Sequence, residues 1–83
     1  MKNYVFPAVF IEDKAGVGVV FPDLPGCVTQ NDDYERAFKD ARTALRLHLN
    51  GMIEDKEEIP KPSQLKSITL GENEALALIE TQI

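Results

Sequence analysis

The first third of the chain joins short runs of β-branched and aromatic residues through turn-forming residues. Residues 3–12 (NYVFPAVFIE) are too short and too interrupted for a helix and therefore predict a strand. Within it Pro7, which has no N–H, should lie on an edge or on the unpaired side of the strand. The charged tip and glycine at 13–16 (DKAG), followed by the apolar run 17–21, predict a β-hairpin, and residues 27–30 predict a third short strand. This order is typical of an antiparallel meander.

In the middle of the chain, apolar residues are spaced three and four positions apart. Apolar positions in residues 34–53 recur at this spacing, which places them on one stripe of an amphipathic helix. Asp32 as the N-cap, with Glu35 three residues later, resembles a capping box, and carboxylates there suit the positive end of the helix dipole. The end of the helix has two alternatives, a C-cap at Asn50 and Gly51 or continuation of the stripe beyond them. The stripe consists of Tyr34, Ala37, Phe38, Ala41, Ala44, Leu45, His48, Leu49, Met52 and Ile53.

The last third of the chain is polar and then becomes apolar again. Residues 54–63 (EDKEEIPKPS) are charged, contain two prolines and predict a loop or extended connector. Residues 65–70 (LKSITL) predict a strand. The tail 72–83 is ambiguous, because Ala, Leu and Glu favour a helix by propensity whereas the closing IETQI favours the strand that we expect. Three strands, one long helix and one or two further strands predict a two-layer α+β domain, with the helix covering one face of the sheet.

Composition places the chain among small soluble globular domains. It has 83 residues, of which 43% are hydrophobic and 28% charged, and no apolar run is long enough to cross a bilayer. This length supports one domain near the lower limit for a single hydrophobic core, so we expect a homo-oligomer, a dimer or tetramer, for which exposed strand edges offer a route. Because residues 1–10 lack the features of a secretory signal, we expect a cytoplasmic protein.

Charge and the scarcity of ligating side chains limit the classes of partner. Fourteen acidic and nine basic side chains give a net charge of −5, which disfavours nonspecific binding to phosphate backbones or anionic membranes and favours a basic protein partner. One cysteine and one histidine form neither an internal disulfide nor a structural zinc site from this chain alone, so we expect no metal or other cofactor. The acids Glu54, Asp55, Glu57 and Glu58 suit a solvated face, and their charge would also steer a basic partner.

The most unusual stretch is the corner before the third strand. Its candidate partner-binding residues are Pro22, Asp23, Leu24, Pro25 and Gly26. One interpretation is structural: each proline fixes φ and favours an extended preceding residue, while Gly26 accepts a left-handed turn. The other is functional: the rigid corner presents Asp23 and Leu24 to a basic partner at a low ordering cost. Both interpretations remain open from these residues alone.

Three further side chains bear on function. Cys27 is a free cysteine with no histidine or second thiol near it in sequence, so we interpret it as a small buried hydrophobe rather than a reactive thiol. His48 lies on the apolar stripe and is expected to pack in the core with one hydrogen bond, without a catalytic role. Leu47 lies off the stripe and is expected at the surface.

A combination of these segments resembles a known family. The run VFPAVF, the hairpin ending in VVFPDLPGCVTQ, the helix ERAFKDARTALRLHLNGMIED and the trailing IPKPS are similar to the HicB family, the antitoxin component of HicAB toxin–antitoxin systems. The resemblance covers residues 4–63. It implies a partial RNase H-like fold and a partner, HicA, that is a small basic RNA-cleaving toxin whose active surface the antitoxin masks.

The resemblance also implies a second function. Members of the family commonly carry a C-terminal DNA-binding segment through which they repress their own operon. We interpret residues 1–83 as a single toxin-neutralising domain, so DNA binding would need a segment after Ile83. A third hypothesis, a degenerate RNase H-like nuclease, requires carboxylates that converge on divalent metals from strand positions. The acids here fall in turns, at the helix start and in the connector, so we expect no enzymatic activity.

Overall fold

A computed structural model describes all residues 1–83 and shows an antiparallel sheet of four strands with one long helix against one face. The strand order is β3-β2-β1-β4, and each neighbouring pair is antiparallel. The two-layer α+β architecture and the opening meander are therefore confirmed. The elements are β1 (Asn3–Asp13), β2 (Gly16–Val20), β3 (Val28–Asn31), α1 (Tyr34–Glu54), a turn of 3-10 helix (Leu65–Ser67) and β4 (Glu74–Gln82).

β1 is the central strand, and the position of Pro7 in it follows from the ladder with β4. The backbones of Lys2 and Ile83 exchange hydrogen bonds in both directions, with N···O distances of 2.7 and 2.9 Å. Because bonding alternates along an antiparallel pair, even-numbered residues of β1 bond to β4 and odd-numbered residues point toward β2. β2 ends at Val20, opposite Val9, so no strand lies beside the nitrogen of Pro7. The prediction that this proline occupies an unpaired side of its strand is confirmed.

The helix begins one residue later than the sequence predicts. The N-cap is Asp33, whose Oδ1 accepts a hydrogen bond from the backbone N–H of Arg36 at 2.8 Å. Asp32 was the wrong choice because the side chain of Asn31 accepts its N–H at 2.7 Å and holds it in the preceding turn. The cap is nevertheless an aspartate, as predicted, and Glu35 lies in the first turn of the helix.

The helix passes through Asn50 and Gly51 and ends at Glu54, so the C-cap alternative at these two residues is wrong. Met52, in the last turn, packs against the hydrophobic core, and this contact favours continuation of the helix. Lys56, with φ of 57°, takes the left-handed conformation that commonly ends a helix.

The predicted strand at residues 65–70 is wrong, whereas the predicted strand in the tail is confirmed. Local hydrogen bonds hold the first segment in a 3-10 turn: the Ser67 hydroxyl donates to the Gln64 carbonyl at 2.7 Å and the Ile68 N–H donates to Leu65. Because these backbone groups are satisfied locally, they do not join the sheet. The partner of β1 is instead β4, in an unbroken register from Asn3 opposite Gln82 to Ile11 opposite Glu74.

The core lies between the sheet and α1 and forms one cluster of 13 buried residues. Two alanines in the first half of the helix, Ala37 and Ala41, let its backbone approach the sheet closely, and Leu45 and Leu49 fill the space toward its other end. The helix lacks both the length of apolar sequence and the hydropathy that a bilayer span requires. The cluster consists of Phe6, Ala8, Phe10, Val17, Val19, Phe21, Leu24, Cys27, Ala37, Ala41, Leu45, Leu49 and Ile79.

Candidate partner-binding surface

The corner between β2 and β3 (residues 22–26) is held by its own backbone hydrogen bonds. The N–H of Leu24 donates to the carbonyl of Phe21 at 3.0 Å, and the N–H of Cys27 donates to the carbonyl of Leu24 at 3.0 Å. Gly26 has φ of 88°, a conformation that other L-residues rarely adopt. Two successive turns with a proline in each therefore make a rigid corner, as its residue types predict.

The candidate residues of the corner divide into two groups. Pro22, Pro25 and Gly26 are exposed and available to a partner. Leu24 is only 1% exposed and belongs to the core, so it anchors the corner from beneath and is not the apolar contact that the sequence predicts. The turn directs the leucine side chain inward, into the hydrophobic core.

Asp23 is half-buried, and its carboxylate is engaged within the protein. One oxygen accepts the backbone N–H of Ser63 at 2.8 Å, and the other accepts the Ser63 hydroxyl. The corner is therefore tied to the α1–β4 loop (residues 55–73). Nothing in the local sequence pattern indicates this contact, because the two residues are 40 positions apart.

A groove of about 430 Å³ opens between the corner and the end of α1. Glu57 and Glu58 line it together with Asp23, so carboxylates dominate its charge. His48 forms part of the wall; it is half-buried, and its ring makes no hydrogen bond within the protein, unlike the enclosed and bonded histidine that the stripe predicts. A groove of this composition suits a cationic side chain of a partner.

Cys27 lies beneath the corner and is buried, as predicted. Its Sγ is 3.7 Å from the carbonyl oxygen of Ala44 on the helix. Burial disfavours the thiolate and raises the pKa of the thiol from 9.0 to about 11. The side chain therefore stays protonated near neutral pH and contributes packing rather than reactivity.

A second candidate surface lies at the start of α1. Tyr34 and Phe38 are 42% and 43% exposed, and both stack on the buried ring of Phe10, with centroid distances of 6.0 and 5.9 Å. Beside Tyr34 a groove of about 380 Å³ is lined by acids from the β1–β2 hairpin and the helix start. Both aromatic residues belong to the apolar stripe that the sequence predicts. Their exposure could have been inferred from the width of the stripe, because it contains more residues than one face of a helix can bury.

No three His, Cys, Asp or Glu side chains of the chain converge as a group able to hold a metal ion. Several carboxylates instead accept hydrogen bonds from their own neighbourhood. Asp33 caps the helix, Asp40 accepts the Asn31 side-chain amide at 2.6 Å, and Asp13 accepts the Ala15 N–H at 2.8 Å. The chemistry that this arrangement supports is recognition of a cationic surface by carboxylates and exposed aromatic rings.

Comparison with known proteins connects this geometry to a family. Residues 6–79, from β1 to the middle of β4, match the family described as HicB-like antitoxin of bacterial toxin–antitoxin systems. The chain belongs to this family. It is also 40% identical over 62 residues to Antitoxin HicB 2 of Photorhabdus laumondii, an alignment that covers 75% of this chain and 45% of that protein.

Solved structures of the family share the fold. A chain of a toxin–antitoxin complex from Streptococcus pneumoniae superposes with a TM-score of 0.85 and 22% identity, covering 95% of this chain and 69% of that chain. The N-terminal domain of Burkholderia pseudomallei antitoxin HicB superposes with a TM-score of 0.77 and 24% identity, covering 96% of this chain and all of that domain. The chain spans less than half the length of the curated relatives it matches.

Proposed function

We propose that this protein is an antitoxin that binds a HicA-like, RNA-cleaving toxin and masks its active surface. The observation that carries the proposal is the family match over residues 6–79, which includes the sheet and the helix. A net charge of −5 and two grooves lined by carboxylates support a basic partner. Carboxylates on the outer surface accelerate encounter with such a partner and fix its orientation.

We propose that the corner, residues 22–26, contacts the toxin. Pro22, Pro25 and Gly26 supply an exposed, preorganised surface, so little conformational entropy is lost when a partner binds. Leu24 and Asp23 contribute indirectly, since one anchors the corner in the core and the other ties it to Ser63. The adjoining carboxylates Glu57 and Glu58 extend this surface toward the end of α1.

We further propose that residues 1–83 act as a single toxin-neutralising domain in the cytoplasm and that they bind rather than catalyse. Carboxylates such as Asp23, Asp33 and Asp40 are engaged in structural hydrogen bonds, which supports a non-enzymatic role over a degenerate nuclease. We also propose that the domain self-associates, because contacts with a second copy add stability to a domain with a small hydrophobic core.

Operon repression is the second candidate function. The relatives are more than twice as long as the aligned segment, which supports a role for a further DNA-binding segment in proteins of this family. Residues 1–83 carry nine basic against fourteen acidic side chains, a balance unsuited to a phosphate backbone. We expect that residues 1–83 alone do not change the electrophoretic mobility of promoter DNA in a sequence-specific way.

Co-expression tests the antitoxin proposal. The chain is produced together with the toxin encoded beside it, the complex is recovered through a tag on either protein, and RNA cleavage is measured before and after the toxin is released by denaturation and refolded. The expected result is a stable complex without cleavage and a released toxin that cleaves. A folded chain that neither copurifies with the toxin nor reduces its cleavage contradicts the proposal.

A further inference from the structure

The outer edge of β4 is long and unpaired. β4 lies at one end of the sheet, and its odd-numbered residues bond to β1, as the exchange between Lys2 and Ile83 requires. The N–H and C=O groups of even-numbered residues therefore point away from the sheet. The Glu74 N–H bonds to Gly71, but no protein group bonds to the outward backbone groups of the other even-numbered residues, Leu76, Leu78, Glu80 and Gln82.

Of the features that usually prevent strand pairing, this edge carries only two charged side chains, Glu74 and Glu80. β4 (EALALIETQ) contains no proline, glycine or lysine, and its register with β1 has no bulge along nine residues. Natural proteins commonly protect a free edge with lysine, proline, a bulge or a very short strand. The opposite edge, β3, has four residues and so offers a much shorter ladder. The two edges of one sheet thus differ sharply in their capacity to accept another strand.

The side chains beside the edge are compatible with a strand next to them. Leu78, in the middle of β4, is 52% exposed on the sheet face turned away from α1, and Leu76 beside it is half-buried. On the helix side, Ala75 and Ala77 have small side chains, and Arg42 and Arg46 of α1 line grooves beside Thr81 farther along the strand. A strand added here gains backbone hydrogen bonds and covers the exposed leucine.

We propose that the outer edge of β4 is a self-association surface, which pairs antiparallel with β4 of a second copy about a two-fold axis at Leu78. In this register the two Leu78 side chains lie against each other, and Leu76 faces Glu80 of the second copy. Identical edges related by a two-fold axis are complementary by symmetry, which favours a second copy over an unrelated strand. The sheets of both copies then form one continuous sheet.

The positions of the charged residues favour this register over the two adjacent registers. An axis at Ala77 places Glu74 opposite Glu80 of the second copy, and like charges directly opposite destabilise a strand pair. An axis at Ile79 places Leu78 opposite Glu80 and leaves the leucines apart. Only the axis at Leu78 joins the exposed leucines without opposing two carboxylates, so the edge specifies both its partner and its alignment.

The net charge makes the proposed dimer distinguishable from a complex with a basic toxin. Each copy carries −5, so salt screens the repulsion between copies and strengthens their association. Binding between an acidic antitoxin and a basic toxin is weakened by salt instead. The opposite salt dependence separates failure of this inference from failure of the proposed function.

Sedimentation velocity on the whole chain tests the inference at concentrations from about 1 to about 100 µM, at low and high salt. Leu78→Lys places a charge at the axis, and Leu78→Pro removes an outward N–H while leaving the ladder with β1 intact. Leu47→Lys is the matched control, since Leu47 is a leucine of similar exposure, 62%, that lies on α1 and not on β4. Circular dichroism verifies that each variant is folded.

The expected result is a dimer for the wild type and for Leu47→Lys, favoured by salt, and a monomer for folded Leu78→Lys and Leu78→Pro. A wild type that stays monomeric throughout this range overturns the inference, and so does a folded Leu78→Lys that remains dimeric. If the wild type is monomeric and Leu78→Lys loses binding to the toxin, the edge belongs to the toxin and the inference is equally overturned.

Discussion

Both carboxylate oxygens of Asp23 accept hydrogen bonds from Ser63, one from the backbone N–H at 2.8 Å and the other from the hydroxyl. The pair joins the corner between β2 and β3 to the loop that follows α1. Asp23 also lines the acidic groove, together with Glu57 and Glu58 of this loop. Asp23 therefore holds the corner against the loop that supplies the other carboxylates of the groove.

Removal of the Ser63 hydroxyl tests the structural role of this pair. We expect Ser63→Ala to lower the free energy of unfolding by about 1 kcal/mol, because one hydrogen bond to a half-buried carboxylate is lost while the N–H bond remains. Urea denaturation followed by circular dichroism measures the change. Ser67→Ala is the matched control, since the Ser67 hydroxyl bonds within an exposed turn, and a larger loss at Ser67 than at Ser63 would contradict the assignment.

Substitution by alanine should have very different effects on stability at two leucines of α1 that are two positions apart. Leu45 is fully buried in the core, so Leu45→Ala should cost about 2–5 kcal/mol through lost burial and the cavity left behind. Leu47 is 62% exposed, and Leu47→Ala should change the free energy of unfolding by less than about 0.5 kcal/mol. Urea denaturation of both variants makes the comparison. Equal losses would show that the helix presents a different face to the sheet.

Glycines at the hairpin and in the helix should respond to alanine in opposite directions. Gly16 has φ of 136°, and a Cβ there would overlap the carbonyl oxygen of Asn31, so Gly16→Ala should be strongly destabilising. Gly51 is helical with open space around its Cα, and Gly51→Ala should raise the free energy of unfolding by about 0.5–1 kcal/mol. Thermal unfolding measures both. Stabilisation by Gly16→Ala would contradict the hairpin geometry.

The buried thiol predicts a loss of stability in alkaline solution. Burial raises the pKa of Cys27 from 9.0 to about 11, so between these values the unfolded chain loses the thiol proton while the folded chain keeps it. The folded state then binds more protons, and its stability falls as pH rises through this window. Urea denaturation under reducing conditions should show this loss in the wild type and a smaller one in Cys27→Ala. Parallel pH profiles would show that the thiol does not contribute.

The four strands and the helix followed from local patterns, whereas the 3-10 turn at Leu65–Ser67 was wrongly predicted as part of a strand. Runs of β-branched and aromatic residues between turn-forming residues specify the first three strands, and the stripe repeated with the helical period specifies α1. The strand state of the tail followed from β-branched residues near its end. The helix N-cap was misplaced by one residue because Asn31 competes for the N–H of Asp32, a local bond that two adjacent aspartates leave ambiguous.

The surface was less predictable than the core. Leu24 looked like an exposed anchor because it stands between two prolines, yet the turn directs it inward. The Asp23–Ser63 bond and the free edge of β4 both depend on which segments become neighbours in space. Such long-range neighbours are set by the sum of many contacts, so no single stretch of sequence encodes them.

A titration of RNA cleavage tests the central claim most directly. Purified toxin at fixed concentration is mixed with increasing amounts of residues 1–83, and the rate of RNA cleavage is measured. The wild type should abolish cleavage at a defined molar ratio, and the double variant Glu57→Lys with Glu58→Lys should require more protein, whereas Glu72→Lys, distant from the groove in sequence, should match the wild type. Undiminished cleavage in the presence of excess folded wild-type protein would contradict the account.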